Sequence, residues 1–159
     1  METTTLAKEM EQHTYGIMND VEDKHWWFVG RRAILESFLA RTVESIRKPN
    51  STVRILDVGC GTGANLEMLK QYGESEGVDV SDDALEFCRK KGLKVHKGLA
   101  EELPFEDETF DLVTALDVVE HLDDDIAGLK EMLRVLKTGG KTLIFVPAFM
   151  WLWGVQDDI

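Results

Sequence analysis

The sequence predicts an α/β fold: a mainly parallel sheet of about five strands with helices on both faces. Three observations carry this. Short apolar runs alternate five times with amphipathic segments, a glycine-rich turn follows the first clear strand, and no internal repeat or low-complexity tract interrupts the alternation. At 159 residues, 43% of them apolar, the chain is long enough for one core and short for two. Residues 1–159 are therefore expected to form a single domain, with a helical segment over 1–50, a sheet core over 51–148 and an aromatic tail over 149–159.

The elements follow in order. Residues 31–46 place Ile34, Leu35, Phe38, Leu39, Val43 and Ile46 toward one side of a helix that stops before Pro49 and Asn50. The preceding HWWF at 25–28 either packs that helix onto the sheet or covers a ligand. VRILDV (53–58) reads as a buried strand, and ANLEMLKQYG as a helix closed by Gly73. EGVDV (76–80) is a second strand. Ser81 with Asp82 and Asp83 is a helix start, and Gly92 its stop. LKVHKG is a short third strand and FDLVTALDVV (110–119) a fourth. The segment 123–136 reads as a helix with Ile126, Leu129, Met132, Leu133 and Leu136 inward and TGG at its end; KTLIFVPA is the fifth strand.

Composition narrows the function classes. Eighteen Lys and Arg stand against thirty Asp and Glu, a formal charge of −12, which disfavours nucleic acid and anionic membrane surfaces as partners. No apolar stretch approaches the ~20 residues of a membrane span. The start METTTLAKEMEQH is acidic and polar, unlike a secretion signal. The two cysteines, Cys60 and Cys88, form neither a disulfide framework nor a metal-ligand pattern, which suits a reducing cytoplasmic setting.

The stretch LDVGCGTGANL (56–66) holds the main functional signal. Glycines where a strand passes into a helix let backbone N–H groups lie against a ligand with no Cβ between. In an open parallel sheet, that position is the ligand crevice. GCGTGA (59–64) also satisfies the dinucleotide fingerprint, and Asp79 falls about twenty residues on, where such a site places its ribose acid. A nicotinamide dinucleotide and another ribose-bearing cofactor both fit those residues. Asp57 favours the second: a carboxylate there repels a pyrophosphate and attracts a ligand bearing an ammonium group.

ILDVGCGTGANLEML, GVDVS, AEELPFEDETFDLVTALDVVEHL and EMLRVLKTGGKTLIFVPA, in that order, resemble the motifs of the class I S-adenosyl-L-methionine-dependent methyltransferases of the small-molecule (type 11-like) branch. The likeness covers residues 53–148; the HWWFVGRR leader and MWLWGVQDD tail also resemble a bacterial subgroup of that family. It implies a Rossmann-like three-layer sandwich, truncated relative to the family's seven-stranded sheet. It further implies methyl transfer to a small-molecule acceptor, with S-adenosyl-L-homocysteine as product and no metal required.

By the same resemblance, Gly59, Cys60, Gly61 and Gly63 form the loop under the methionine part of the cofactor, and Asp57 supports that loop and the amino group. Asp79 takes the ribose hydroxyls, with Val80 beside it; Ala100 and Glu101 border the adenine; Asp117 lies near the methionine. The family commonly has Asp where this chain has Leu99, so adenine is held by backbone and apolar contacts. Asp117 and Glu120 read equally as solvated strand ends, and His121 as a general base or as a structural residue. Asp123, Asp124 and Asp125 read as a dipole-favoured helix start.

Two other functions remain open from the sequence: a cofactor-binding module or subunit without turnover, and an NAD-binding protein. The chain stops soon after the fifth strand, which leaves that strand at an open sheet edge. Two readings account for this: the chain is a piece of a longer protein, or it is a short form expected to dimerise and bury the edge together with Phe149, Met150, Trp151 and Trp153.

Overall fold

The structure, a computed structural model, describes the backbone of residues 12–147 and the side chains of 15–147. The tail residues Phe149, Met150, Trp151 and Trp153 lie outside the described residues. Helices α1 (Gln12–Val21) and α2 (Trp26–Ile46) lead into β1 (Arg54–Val58), α3 (Ala64–Leu69), β2 (Glu74–Asp79), α4 (Asp82–Lys90), β3 (Val95–Lys97) and β4 (Phe110–Leu116). A 3-10 turn at Val119–His121, α5 (Asp125–Val135) and β5 (Leu136–Phe145) complete the described chain. All strand pairs are parallel, in the order β3-β2-β1-β4-β5. The expected five-stranded α/β sheet is therefore present, and its order reverses beside β1, so the crevice opens at the carboxyl ends of β1 and β4.

Strand alternation sorts the core into two layers. Ile55, Leu112 and Leu116 face α2 and α3, meeting Leu35, Leu39, Val43, Met68 and Leu69. Leu56, Val58, Val113 and Ala115 face the other way, onto Met132 and Val135 of α5. Asp57 and Thr114 are directly paired across β1 and β4. By alternation they share the face that α2 covers, which becomes important below.

Several expectations change. Helix α2 begins at Trp26, so the HWWF aromatics are its first turn rather than a separate cluster. They do not pack on the sheet: Trp26 is 74% and Trp27 45% exposed, and their rings contact each other edge to face. The buried stripe of α2 is Leu35, Leu39 and Val43, while Ile34 and Phe38 face outward. In α5 the inward residues are Gly128, Met132 and Val135, and Ile126 and Leu133 are exposed. In both helices the apolar residues outnumber one stripe, so the phase could not be set by hydrophobicity alone.

TGG does not end α5 but lies inside β5, where the ladder to β4 carries a register shift. Gly139 has φ of 83° there, as a bulged strand allows. Gly73 likewise is not a helix cap. Helix α3 stops at Leu69, and a Cβ on Gly73 would strike the Val53 carbonyl, so glycine is needed where the chain crosses β1 to start β2. The helix starts at Ser81 and Asp124 form as expected: Ser81 Oγ accepts from Ala84 N at 3.3 Å and Asp124 Oδ1 from Ala127 N at 2.9 Å. Among the described residues no helix is long and apolar enough to cross a membrane.

Candidate functional site

The glycine loop folds back over the end of β2. The N–H groups of Gly59 and Cys60 both donate to the Val78 carbonyl, at 2.8 and 3.1 Å, and Gly61 N donates to Asp79 Oδ2 at 2.9 Å. The other Asp79 oxygen accepts from Ser81 N at 2.9 Å, so this carboxylate ties the loop to the start of α4. Val80 is half-buried between them.

Two glycines show why the loop lacks a side chain at their positions. At Gly63, with φ of 93°, a Cβ would meet Leu93 Cδ1 at 2.5 Å and Cys88 Sγ at 2.9 Å; the protein itself fills that space. At Gly61, with φ of 51°, nothing lies within 4 Å of a built Cβ. Gly61 is thus the open side of the loop, a place where a ligand can touch backbone.

Asp57 lies beneath this loop and is 1% exposed. Its Oδ1 accepts from Thr114 Oγ1 at 2.6 Å, whereas Oδ2 is buried with no hydrogen-bond partner. Burial pushes its carboxyl up to about 7; the Thr114 hydrogen bond and Arg31 act against this, and Asp79 adds to it. A buried carboxylate oxygen without a donor is costly for folding and points to a missing cation or donor.

The helical arm closes the crevice from above. Leu35 is preceded one turn earlier by Arg31, so the buried stripe of α2 ends in a guanidinium directed at the sheet. Arg31 pairs with Asp117 at the end of β4, and its side chain is 12% exposed. Burial lowers its pKa, aided by Arg32 and opposed by Asp57, Glu22 and Glu120. A second tie runs from Glu22, which accepts from the Thr62 hydroxyl in the glycine loop, with Lys91 Nζ at 3.8 Å. Burial, only partly offset by that hydrogen bond, raises the Glu22 pKa. Arg32 Nη2 donates to the Glu22 carbonyl at 2.6 Å and Lys91 Nζ to the Thr62 carbonyl at 3.1 Å, completing the latch.

The sequence-predicted residues thus fall into two sets. Asp57, Gly59, Cys60, Gly61, Gly63, Asp79 and Val80 converge on the ends of β1 and β2. Cys60 is buried under the loop against Cys88, whose contact, with burial, raises its pKa, so it is a packing group. The Ala100 side chain is in the core with Leu103 and Phe110, leaving only its backbone for a ligand; Glu101 follows it half-buried, and Leu99 is 37% exposed. Asp117 takes a left-handed φ of 58° and donates its N–H to the Phe145 carbonyl at 2.8 Å. His121 is exposed on the 3-10 turn, with Glu120 half-buried before it. Arg31, Glu22, Thr62, Lys91 and Thr114 were not singled out by sequence. Arg31 had a signal: once the stripe is phased on Leu35, Leu39 and Val43, an arginine lies on it.

Comparison with known proteins places this geometry. A methyltransferase domain family matches residues 56–144, more than half the chain, a span that includes Asp57, the glycine loop, Asp79 and Asp117. The chain belongs to that family. The demethylmenaquinone methyltransferase of Chlorobaculum parvum is 35% identical over 142 residues, 84% of this chain and 55% of the relative. A Thermotoga maritima protein described as an S-adenosyl-L-methionine-dependent methyltransferase and possible histamine N-methyltransferase is 31% identical, with a TM-score of 0.57, over 83% of this chain and 61% of its own. The PH0226 protein of Pyrococcus horikoshii is 30% identical with a TM-score of 0.62, over 76% and 58% of the two chains. The chain spans about half the length of the curated relatives it matches.

Proposed function

We infer that this chain binds S-adenosyl-L-methionine at the carboxyl ends of β1 and β2 and transfers its methyl group to a small-molecule acceptor. The observation that carries the reading is the orphaned, buried Oδ2 of Asp57 beneath the glycine loop. A ligand ammonium supplies the donors and the positive charge that this oxygen lacks, whereas a dinucleotide pyrophosphate would add a second negative charge.

In this reading Asp57 holds the amino group, and open Gly61 leaves room for the methionine portion. Asp79, oriented by the backbone amides of Gly61 and Ser81, takes the ribose hydroxyls. The backbone at Leu99, Ala100 and Glu101 borders the adenine. The cofactor supplies an activated methyl group when bound; the chain's own residues bind, orient and exclude water. The Glu22 to Thr62 latch and the Arg31 to Asp117 pair bring α1 and α2 across the crevice, as exclusion of water requires. His121, exposed on the 3-10 turn that follows Asp117, is the proposed group to accept a proton from an acceptor that arrives protonated.

Calorimetric titration with S-adenosyl-L-homocysteine and, separately, NAD tests the reading. Binding of the former alone is expected; binding of NAD alone would overturn it. A homodimer is proposed on a separate observation: among the described residues β5 is an outer strand, with Ile144 on it and Val146 just after it 41% and 42% exposed. Light scattering at micromolar concentration is expected to give twice the chain mass, and a monomer mass would refute it.

A further inference from the structure

We propose that the methyl acceptor is an uncharged, planar aromatic molecule, received between Trp27 on α2 and Phe145 at the end of β5. This rests on the methyl-transfer reading above and names the acceptor class for the same crevice.

The placement follows from helix geometry. The side of α2 that meets the sheet runs back from Val43 through Leu39 and Leu35 to Arg31, whose guanidinium reaches Asp117 just past the end of β4. Trp27 is four residues before Arg31 on that side, about 6 Å nearer the helix start. It therefore overhangs the carboxyl ends of β4 and β5, and 45% of it stays exposed. Its position is fixed by its neighbours. The Trp26 ring meets it edge to face at 5.9 Å, and the Phe28 ring lies 5.8 Å from the Arg31 guanidinium, which anchors the first turn of α2.

The opposite wall comes from β5. Phe145, the last residue of that strand, pairs with Leu116 and packs in the layer facing α2, yet is only half-buried. Its carbonyl accepts from the Asp117 N–H at 2.8 Å, so Phe145 adjoins the Arg31–Asp117 pair from the sheet side while Trp27 adjoins it from the helix side. Two partly exposed aromatic side chains from distant segments thus border one ion pair, at the half of the crevice away from the glycine loop.

Chemistry then sets the class of molecule. An exposed indole face gains most from a flat apolar partner, which covers it whole, and less from a puckered one of the same size. Charge narrows the class further. Asp117, Glu120, Asp123, Asp124 and Asp125 all fall within nine residues at this rim, and Arg31 is already paired, so an anion is repelled there.

Equilibrium dialysis of the full chain, with S-adenosyl-L-homocysteine at saturation, compares three probes. They are 2-naphthol, decahydro-2-naphthol, which keeps the ring skeleton and hydroxyl without a flat face, and 2-naphthoate, which is anionic. The wild type is expected to prefer 2-naphthol to the saturated alcohol by about fivefold or more and to 2-naphthoate by about tenfold. Trp27→Leu should bring the first ratio close to unity while S-adenosyl-L-homocysteine affinity stays within about twofold. Trp27→Phe retains a flat face and should keep most of the preference, and Phe145→Leu should lower it. Phe38→Leu alters an exposed aromatic three turns further along α2 and should leave it unchanged.

No preference in the wild type, a preference retained in Trp27→Leu, or an equal loss in Phe38→Leu overturns the proposal. So does a Trp27→Leu chain that halves its mass in light scattering yet keeps the preference, because Trp27 then belongs to a contact between two copies. If Trp27→Leu does not fold, Phe145→Leu decides, and an unchanged ratio there overturns the proposal. Failure of the wild type to bind S-adenosyl-L-homocysteine overturns the cofactor reading itself, whereas binding it without discriminating among the probes overturns this inference alone.

Discussion

The two halves of the crevice are held together by different means. At the ends of β1 and β2 the glycine loop is fixed by its own backbone N–H groups, which donate to the Val78 carbonyl and the Asp79 carboxylate, and Gly63 is packed against neighbouring side chains while Gly61 is open. At the ends of β4 and β5 the arrangement depends on side chains: Asp117 is tied to Arg31 from a helix far back in the sequence, and His121 faces solvent. Backbone-built sites are rigid and preformed, while a site closed by one long ion pair can reopen. On the proposed reading, the loop half would hold the cofactor in one pose and the other half would admit and release an acceptor.

The sharpest way to break this contrast is within the loop. Gly63→Val should destabilise the protein by about 3 kcal/mol or more, because a branched Cβ in a left-handed backbone must displace Leu93 and Cys88. Thermal melting checks this, and an unshifted midpoint would mean the loop is less rigid than its contacts indicate. Asp57→Asn sharpens the contrast from the other side. With its carboxyl pushed up to about 7, Asp57 holds in the folded state a proton that the unfolded chain releases near its ordinary value of 3.8. Stability therefore falls as pH rises from about 4 to about 7, and the full penalty stands above that window. At pH near 8 the asparagine variant should be more stable than wild type by roughly 1–3 kcal/mol while losing ligand affinity. A variant less stable at that pH would show that the buried carboxylate is already compensated. Smaller again is Gly61→Ala, which meets no protein atom and should cost about 1 kcal/mol from its backbone angle alone, yet weaken S-adenosyl-L-homocysteine by more than about tenfold. Retained affinity would show that no ligand approaches that point.

The same contrast explains what the sequence could reveal. The β1 to β2 half was legible because its signal is local: Asp57, three glycines and Asp79 stand within one strand-turn-helix-strand unit, whose two strands pair in parallel. The arm was not. Its latch joins Glu22 to Thr62 and Arg31 to Asp117, contacts between segments that no short-range pattern links. Helix phase was the other failure. With Ile34, Leu35, Phe38 and Leu39 all apolar, the stripe was drawn too wide: Leu35, Leu39, Val43 and Ile46 pack inward as expected, Ile34 and Phe38 do not, and the breadth hid the arginine that lies on the buried side. TGG misled because glycines that end helices also serve bulged strands, and the two are distinguished by the ladder to β4, a contact between segments distant in sequence.

The central claim is that the orphaned oxygen of Asp57 awaits the ammonium of an S-adenosyl amino acid. Around it stand Thr114 on β4, Arg31 on α2, Asp79 on β2 and Cys60 in the loop, so its ionisation is the one that ligand binding should drive. The most direct measurement is the S-adenosyl-L-homocysteine dissociation constant across pH. Affinity of the wild type should rise about tenfold from pH near 6 to pH near 8 and then level off, as Asp57 loses the proton that the ammonium displaces, and the profile of Asp57→Asn should be weak and flat. A flat wild-type profile, or an Asp57→Asn variant that binds as tightly as wild type, would contradict the account.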